Sequence, residues 1–147
     1  MKKQLTIALV AHDNRKADMV EWAVHNADML SIHKLVCTGT TGSMIRKAFQ
    51  EKGIEADITC MNSGPLGGDA EIAAKVVRKE VNLAVFLIDD LNAQPHEADI
   101  QMLLRHCRVH NVPIACNRYS ADLMITSTLW DNDDYVPTEP KYAYFTR

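Results

Sequence analysis

Residues 63–69 read Ser-Gly-Pro-Leu-Gly-Gly-Asp, a turn with three glycines that ends on a carboxylate. Glycine-rich turns that open helices commonly cradle anions on backbone N–H groups, so Asp69 puts a negative charge where an anion would be expected. Asp13, Asp89, Asp90 and Asp99 supply further carboxylates, and His12 and His96 supply imidazoles. These are the side chains that move protons. A second cluster, Thr38-Gly39-Thr40-Thr41-Gly42, has the chemistry of a phosphate cup, because its glycines permit close approach and its hydroxyls stand at a helix start. Ser63 and Gly64 form another small-residue loop, and Lys16 adds positive charge. Together they point to proton transfer on a phosphate ester. The chain contains neither the GxxxxGKS/T run of a nucleoside triphosphate site nor the GxGxxG run of a dinucleotide site.

Each group also has a structural explanation when taken alone. Asp13, Asp69 and Asp99 could cap helices, Asp89 could be a solvated acid at a strand end, and His96 a packed residue after Pro95. A metal site competes for the same His and Asp residues, but no HxH, HExxH or DxDxDG spacing supports it, and no metal is expected.

The elements that must position these groups follow from the hydrophobic pattern. Short apolar runs recur at 5–11, 33–38, 58–61, 83–89 and 113–117, and such continuous runs read as strands buried on both faces. Between them lie residues at helical spacing, such as Val20, Val24 and Ala27, or Ile100, Leu103, Leu104 and Cys107. Five strand-then-helix units imply right-handed crossovers and an α/β fold: a single-domain, three-layer α/β/α sandwich around a mostly parallel five-stranded sheet. In such sheets ligands bind beyond the carboxyl ends of the strands. His12, Asp13 and Lys16 follow the first strand, the threonine-glycine loop the second, residues 62–69 the third, residues 89–99 the fourth, and Asn117 and Arg118 the fifth. All are expected on one rim.

At 147 residues the chain suits one domain spanning 1–147, without an internal repeat or linker. A net charge of −3 and the absence of a basic stripe exclude the usual electrostatics of nucleic-acid binding. The short apolar stretch after Met1 meets His12 and Asp13 too soon to span a bilayer and has no small-residue cleavage pattern, so a cytoplasmic location and no membrane partner are expected. Cys37, Cys60, Cys107 and Cys116 form no CxxC pair, and reduced, buried thiols are expected. Residues 128–147 break the rhythm with Trp130, two prolines, Tyr135, Tyr142, Tyr144 and Phe145, and are expected to pack on their own subunit or on a neighbour.

The runs 7–13 with Lys16, 38–42, 63–69, 91–99 and 111–117, in this order, resemble those of the methylglyoxal synthase family over about residues 5–127. The resemblance implies a homohexameric, cofactor-free and metal-free lyase that converts dihydroxyacetone phosphate into methylglyoxal and inorganic phosphate, on a fold shared with the regulatory domain of carbamoyl-phosphate synthetase. Carried over by residue, it makes Asp69 the catalytic base. By the same resemblance His12, Lys16, Thr38, Gly39, Thr40, Thr41, Ser63, Gly64 and His96 would contact substrate, and His96 would polarise the carbonyl or its developing enediolate. Asp99, with Asp13 and Asp89, would orient partners and assist later proton transfers. Inhibition by phosphate, with cooperativity, is a family-level expectation. Family members commonly read Asp-Pro-Leu where this chain has Asp89-Asp90-Leu91, and they carry an arginine near the C-terminus, a region in which this chain has only Arg147 after Arg118. The alternatives are an effector-binding domain without chemistry and a sugar-phosphate isomerase that retains phosphate.

Overall fold

The structure, a computed structural model, describes residues 3–142. Five strands form one sheet: β1 (Thr6–Ala11), β2 (Lys34–Thr38), β3 (Asp57–Met61), β4 (Leu83–Leu87) and β5 (Ile114–Ala115). Their order is β3-β2-β1-β4-β5, and every pairing is parallel. Six helices accompany them: α1 (Lys16–His25), α2 (Ala27–Leu30), α3 (Gly39–Glu51), α4 (Gly68–Val77), α5 (Glu97–Val109) and α6 (Arg118–Ile125).

The two-residue period of β1 separates the helices into layers. Ile7, Leu9 and Ala11 join Met19, Trp22, Leu30, Ile45, Phe49 and Ile125 in a cluster that carries α1, α2, α3 and α6. Ala8 and Val10 face the other way, toward Ile72 and Val76 of α4 and Ile100 and Leu103 of α5. This is the α/β/α sandwich expected from the sequence. Full burial of each large apolar side chain in these layers stabilises the fold by about 1.5–3 kcal/mol. A hydrogen bond from Trp22 Nε1 to Asp122 Oδ1, 2.8 Å long, ties α1 to α6.

Not every run behaves as a strand covered on both sides. β4 is buried throughout, but β3 is an edge strand whose residues are half-buried or exposed. Arg46 of α3 reaches over that edge and donates to the Ile58 carbonyl at 2.6 Å, which occupies part of an otherwise open ladder. The cysteines also divide: Cys37 and Cys107 are buried, whereas Cys60 is half-buried and Cys116 is exposed, contrary to the expectation that all four lie inside. Burial pushes the Cys37 thiol up to about 12, with Cys60 beside it adding to the shift. Cys116 stands at the turn from β5 into α6, where the strand is too short to carry it into the core.

The segment after α6 packs back on its own chain. Trp130 meets the ring of His33 edge-on at 5.3 Å, Asn111 donates to the Thr138 carbonyl at 2.9 Å, and the Tyr142 hydroxyl donates to the Val109 carbonyl at 2.8 Å. Tyr144, Phe145 and Arg147 lie outside the described residues.

Candidate active site

The strand order reverses between β1 and β4, and the loops after β1, β2, β3 and β4 meet at the carboxyl edge of the sheet beside that point. They enclose a cavity of about 260 Å³ lined by His12, Asp13, Lys16, Thr38, Thr40, Thr41, Ser63, Gly64, Pro65, Asp69, Gln94 and His96, among others. Its size suits a small metabolite better than a nucleotide.

Two backbone arrangements build the floor. α3 begins directly on the threonine-glycine loop, with extended Thr38 as its N-cap and no side chain capping the first turn. The N–H groups of that turn beyond Gly39 and the hydroxyls beside them form a site for anionic oxygens. Gly39 N–H donates to the Asn62 carbonyl at 3.2 Å, joining this loop to the one after β3. Gly68 lies against the same carbonyl so closely that a β-carbon would collide with the Asn62 backbone. Gly67 takes a φ of 103°, a left-handed conformation that favours glycine, and α4 starts at the next residue. The turn thereby delivers Asp69 to the first turn of α4, inside the cavity.

Asp69 is 0% exposed, and neither of its carboxylate oxygens has a hydrogen-bond partner among the described residues. His96 Nε2 stands 3.4 Å from Asp69 Oδ2, too far to satisfy it well. Burial pushes the Asp69 carboxyl above the usual carboxylate range, the neighbouring His96 opposes the rise, and Asp99 adds to it. Gly64 permits this closeness, because a β-carbon there would sit 2.7 Å from His96 Nε2. His12 packs edge-on against His96 at 5.4 Å and against Phe86 at 5.2 Å.

The backbone N–H of Asp89 donates to His12 Nδ1 at 2.9 Å. That nitrogen must therefore be unprotonated, and the hydrogen-bond network assigns the proton of neutral His12 to Nε2. Burial and His96 lower the His12 pKa, against a smaller opposing effect of Asp89. His12, Asp69 and His96 bring potential ligand atoms within 4.8 Å of one another, a grouping that sequence spacing concealed. The Asp89 contact weighs against a metal there, since a protonated Nε2 has no lone pair to offer.

The remaining residues expected at the site divide by position. Lys16 Nζ lies 2.6 Å from Asp13 Oδ1; the lysine is mostly buried and the aspartate is mostly exposed. Lys16 holds the Asp13 carboxyl below its ordinary range. Thr41 is buried, its hydroxyl toward the Ala11 carbonyl at 3.5 Å. Asp99 is close enough to raise the Asp69 carboxyl but does not line the cavity, and neither does Gly39. The Asp89 carboxylate turns away from the cavity and accepts from Asn92, Asn14 and the Leu91 N–H, which together depress its pKa. The Leu91 contact closes a local turn across Asp90, so the loop is shaped without the proline that the family commonly has there. Asn117 and Arg118 lie outside the cavity: Asn117 caps α6 by accepting from Ser120 N, and Arg118 pairs with Glu21 at 2.9 Å. Sequence reasoning missed Gln94, which lines the cavity two residues before His96.

Comparison with known proteins places the chain in a family. The model of the MGS-like domain family matches residues 18–116. A methylglyoxal synthase of Treponema socranskii is 71% identical over 147 residues, covering 100% of this chain and 93% of that protein. The chain belongs to the methylglyoxal synthase family. Another methylglyoxal synthase, from Coxiella burnetii (strain Dugway 5J108-111), is 46% identical over 142 residues, covering 96% of this chain and 95% of its own. The crystal structure of methylglyoxal synthase from Elizabethkingia anophelis NUHP1 superposes with a TM-score of 0.85 at 36% identity, covering 100% of this chain and 93% of that one. Family membership favours the lyase over the effector-binding alternative.

Proposed function

We propose that residues 1–147 act as one catalytic unit that converts dihydroxyacetone phosphate into methylglyoxal and inorganic phosphate, with Asp69 as the base. The observation that carries this reading is the Asp69 carboxylate, fully buried, without hydrogen-bond partners among the described residues and 3.4 Å from His96 Nε2 at the wall of a small polar cavity. A proton next to a ketone is weakly acidic, so its removal needs a positioned base and donors aimed at the growing oxyanion. Burial makes Asp69 a stronger base than an exposed carboxylate, and His96 and the Nε2–H of His12 are the donors.

Asp69 takes a proton from C3, and the electron pair moves into the C2–C3 bond to give an enediolate. The phosphate rests among Lys16, Ser63, Gly64 and the loop of Thr38, Gly39, Thr40 and Thr41. Collapse of the enediolate breaks the C1–O bond and releases phosphate, and protonation of the resulting enol at C1 gives methylglyoxal. An isomerase must keep the C–O bond in the plane of the enediolate to retain phosphate, whereas a synthase holds it out of that plane. Asp99 and Asp13 assist the later proton transfers, and Asp89 orients His12.

The same reading includes a homohexamer, inhibition by phosphate and a cytoplasmic location. Leu66 and Leu91, 75% and 94% exposed, offer apolar cover for neighbouring subunits beside the site loops. No helix among the described residues is long and apolar enough to cross a membrane. The decisive assay incubates chelator-treated protein with dihydroxyacetone phosphate and measures methylglyoxal and phosphate together. Equal yields are expected. Glyceraldehyde 3-phosphate without free phosphate would replace the lyase by an isomerase.

A further inference from the structure

We infer that Asn14 and Asn92 are positioning residues for the reaction: by holding the Asp89 carboxylate, they keep the Asp89 N–H on His12 Nδ1 and leave the His12 proton on Nε2, facing substrate. Asn14 Nδ2 donates to Asp89 Oδ2 at 3.0 Å, and Asn92 Nδ2 donates to the same oxygen at 2.9 Å. The other oxygen accepts from Leu91 N at 3.1 Å. From the same residue, the backbone N–H reaches His12 Nδ1.

These contacts run in both directions between two loops. Asn14 follows His12 by two residues and donates to Asp89, while Asp89 donates to His12. The His12 backbone N–H also donates to the Leu87 carbonyl at 3.2 Å, so the β1 loop is fastened at three points to the end of β4. Reciprocal hydrogen bonds of this kind define one geometry, whereas a single contact leaves a loop free to pivot. The ring itself is held between the edges of Phe86 and His96. Its remaining nitrogen, Nε2, is buried without a partner among the described residues, and His12 lines the cavity.

An imidazole can point either a donor or an acceptor at a substrate oxygen, and only the donor stabilises a developing negative charge. The Asp89 N–H selects the donor. A neutral His12 with the opposite tautomer would oppose two N–H groups at 2.9 Å and turn a lone pair toward the enediolate or phosphate. The carboxylate of Asp89 therefore acts at a distance from substrate, through its own backbone.

The inference rests on His12 being a donor to substrate, and its test separates the two. Protein labelled with ¹⁵N-histidine gives long-range ¹⁵N–¹H correlation spectra that report the tautomer of each of the six histidines without turnover. His12 is assigned by the signal lost in His12→Gln. The native protein is expected to show protonated Nε2 and unprotonated Nδ1 at His12. In Asn14→Ala/Asn92→Ala both tautomers should appear, with kcat lowered about tenfold, the worth of one ordinary hydrogen bond, and KM little changed. Both asparagines are exposed, and either single variant at half the effect serves if the double variant does not fold. A protonated Nδ1 in the native protein overturns the inference. So does a double variant that keeps the tautomer, whatever its rate, or one that loses the tautomer at unchanged kcat. Loss of methylglyoxal formation in the native protein, with the tautomer as stated, would instead count against the proposed reaction.

Discussion

Gly64 and His96 are in contact so close that no side chain fits between them: a β-carbon on Gly64 would lie 2.7 Å from His96 Nε2 and 3.4 Å from Asp69 Oδ1. Gly64 does not have a positive φ, so its glycine identity serves this approach and not a strained turn. Gly64→Ala should fold normally and push the imidazole away from the carboxylate. A displacement near 1 Å costs about 10²-fold in rate where orientation matters, and kcat should fall by that order while the circular dichroism spectrum is unchanged. An unaltered kcat would show that the reaction does not depend on this separation.

Asp69→Asn keeps the shape of the side chain and removes the proposed base. Turnover should fall by about 10²–10⁴-fold, with inorganic phosphate still bound. Stability should move the other way. The Asp69 carboxyl is raised by burial, so the folded protein favours the protonated form and loses stability as pH rises from the ordinary carboxylate range through the raised value. The cost grows with pH until it is complete above the raised value, and the asparagine does not carry it. Urea unfolding should therefore show Asp69→Asn more stable than the native protein at pH 7, with the gain shrinking on acidification. Equal stability at both pH values would mean that the carboxylate is not penalised by its surroundings.

His12 predicts the opposite slope. Its pKa is lowered, chiefly by burial, so the folded state favours the neutral ring, and the stabilisation is complete above the ordinary histidine value of about 6.5. It is lost as pH falls below that value toward the depressed one, where protonation would set Nδ1–H against the Asp89 N–H. Urea midpoints of the chelator-treated protein should decline across this window, and His12→Gln should flatten the decline. A native profile that stays level there would leave His12 without the environment described.

Much of this arrangement was legible in the sequence because the sheet is internal. Val85 and Phe86 of β4 are covered on both faces, and continuous apolar runs reveal such strands directly. β3 departed from that pattern because an edge strand has only one neighbour, and Asp57 can remain in solvent. The glycines around Asp69 marked a loop that lines the cavity, but not that Gly64 makes room for His96, a residue from another loop. The clasp was hidden for the same reason: Asn14 and Asp89 are 75 residues apart, and nothing in either local pattern marks a donor for the other. Asn117 and Arg118 follow β5 on the rim as expected, and their side chains serve α6 and α1.

Lys16 should affect binding more than chemistry. Its ammonium is paired with the exposed Asp13 carboxylate at 2.6 Å and lies on the cavity wall, where, on the proposed function, a phosphate ester would meet it before and during reaction alike. An interaction equal in the ground and transition states changes KM and leaves kcat alone. A charge-assisted hydrogen bond is worth about 1.5–3 kcal/mol, so Lys16→Ala should raise KM roughly 10- to 100-fold. Steady-state kinetics decide it: a fall in kcat at constant KM would place Lys16 on charge that develops only in the transition state.

Asn117 gives the contrasting case of a rim residue with no part in the reaction. Its extended backbone precedes α6, and its side-chain oxygen accepts from the Ser120 N–H at 2.8 Å, satisfying one of the open donors of the first turn. α6 buries Ala121 and Ile125 against the α1 side of the sheet, away from the cavity. Asn117→Ala should lower stability by about 1 kcal/mol in urea unfolding, because that N–H loses its acceptor. Asn117→Ser, which can still accept, should recover most of the loss. Both variants should keep native kcat and KM for dihydroxyacetone phosphate, and a change in either constant would bring the end of β5 into the site after all.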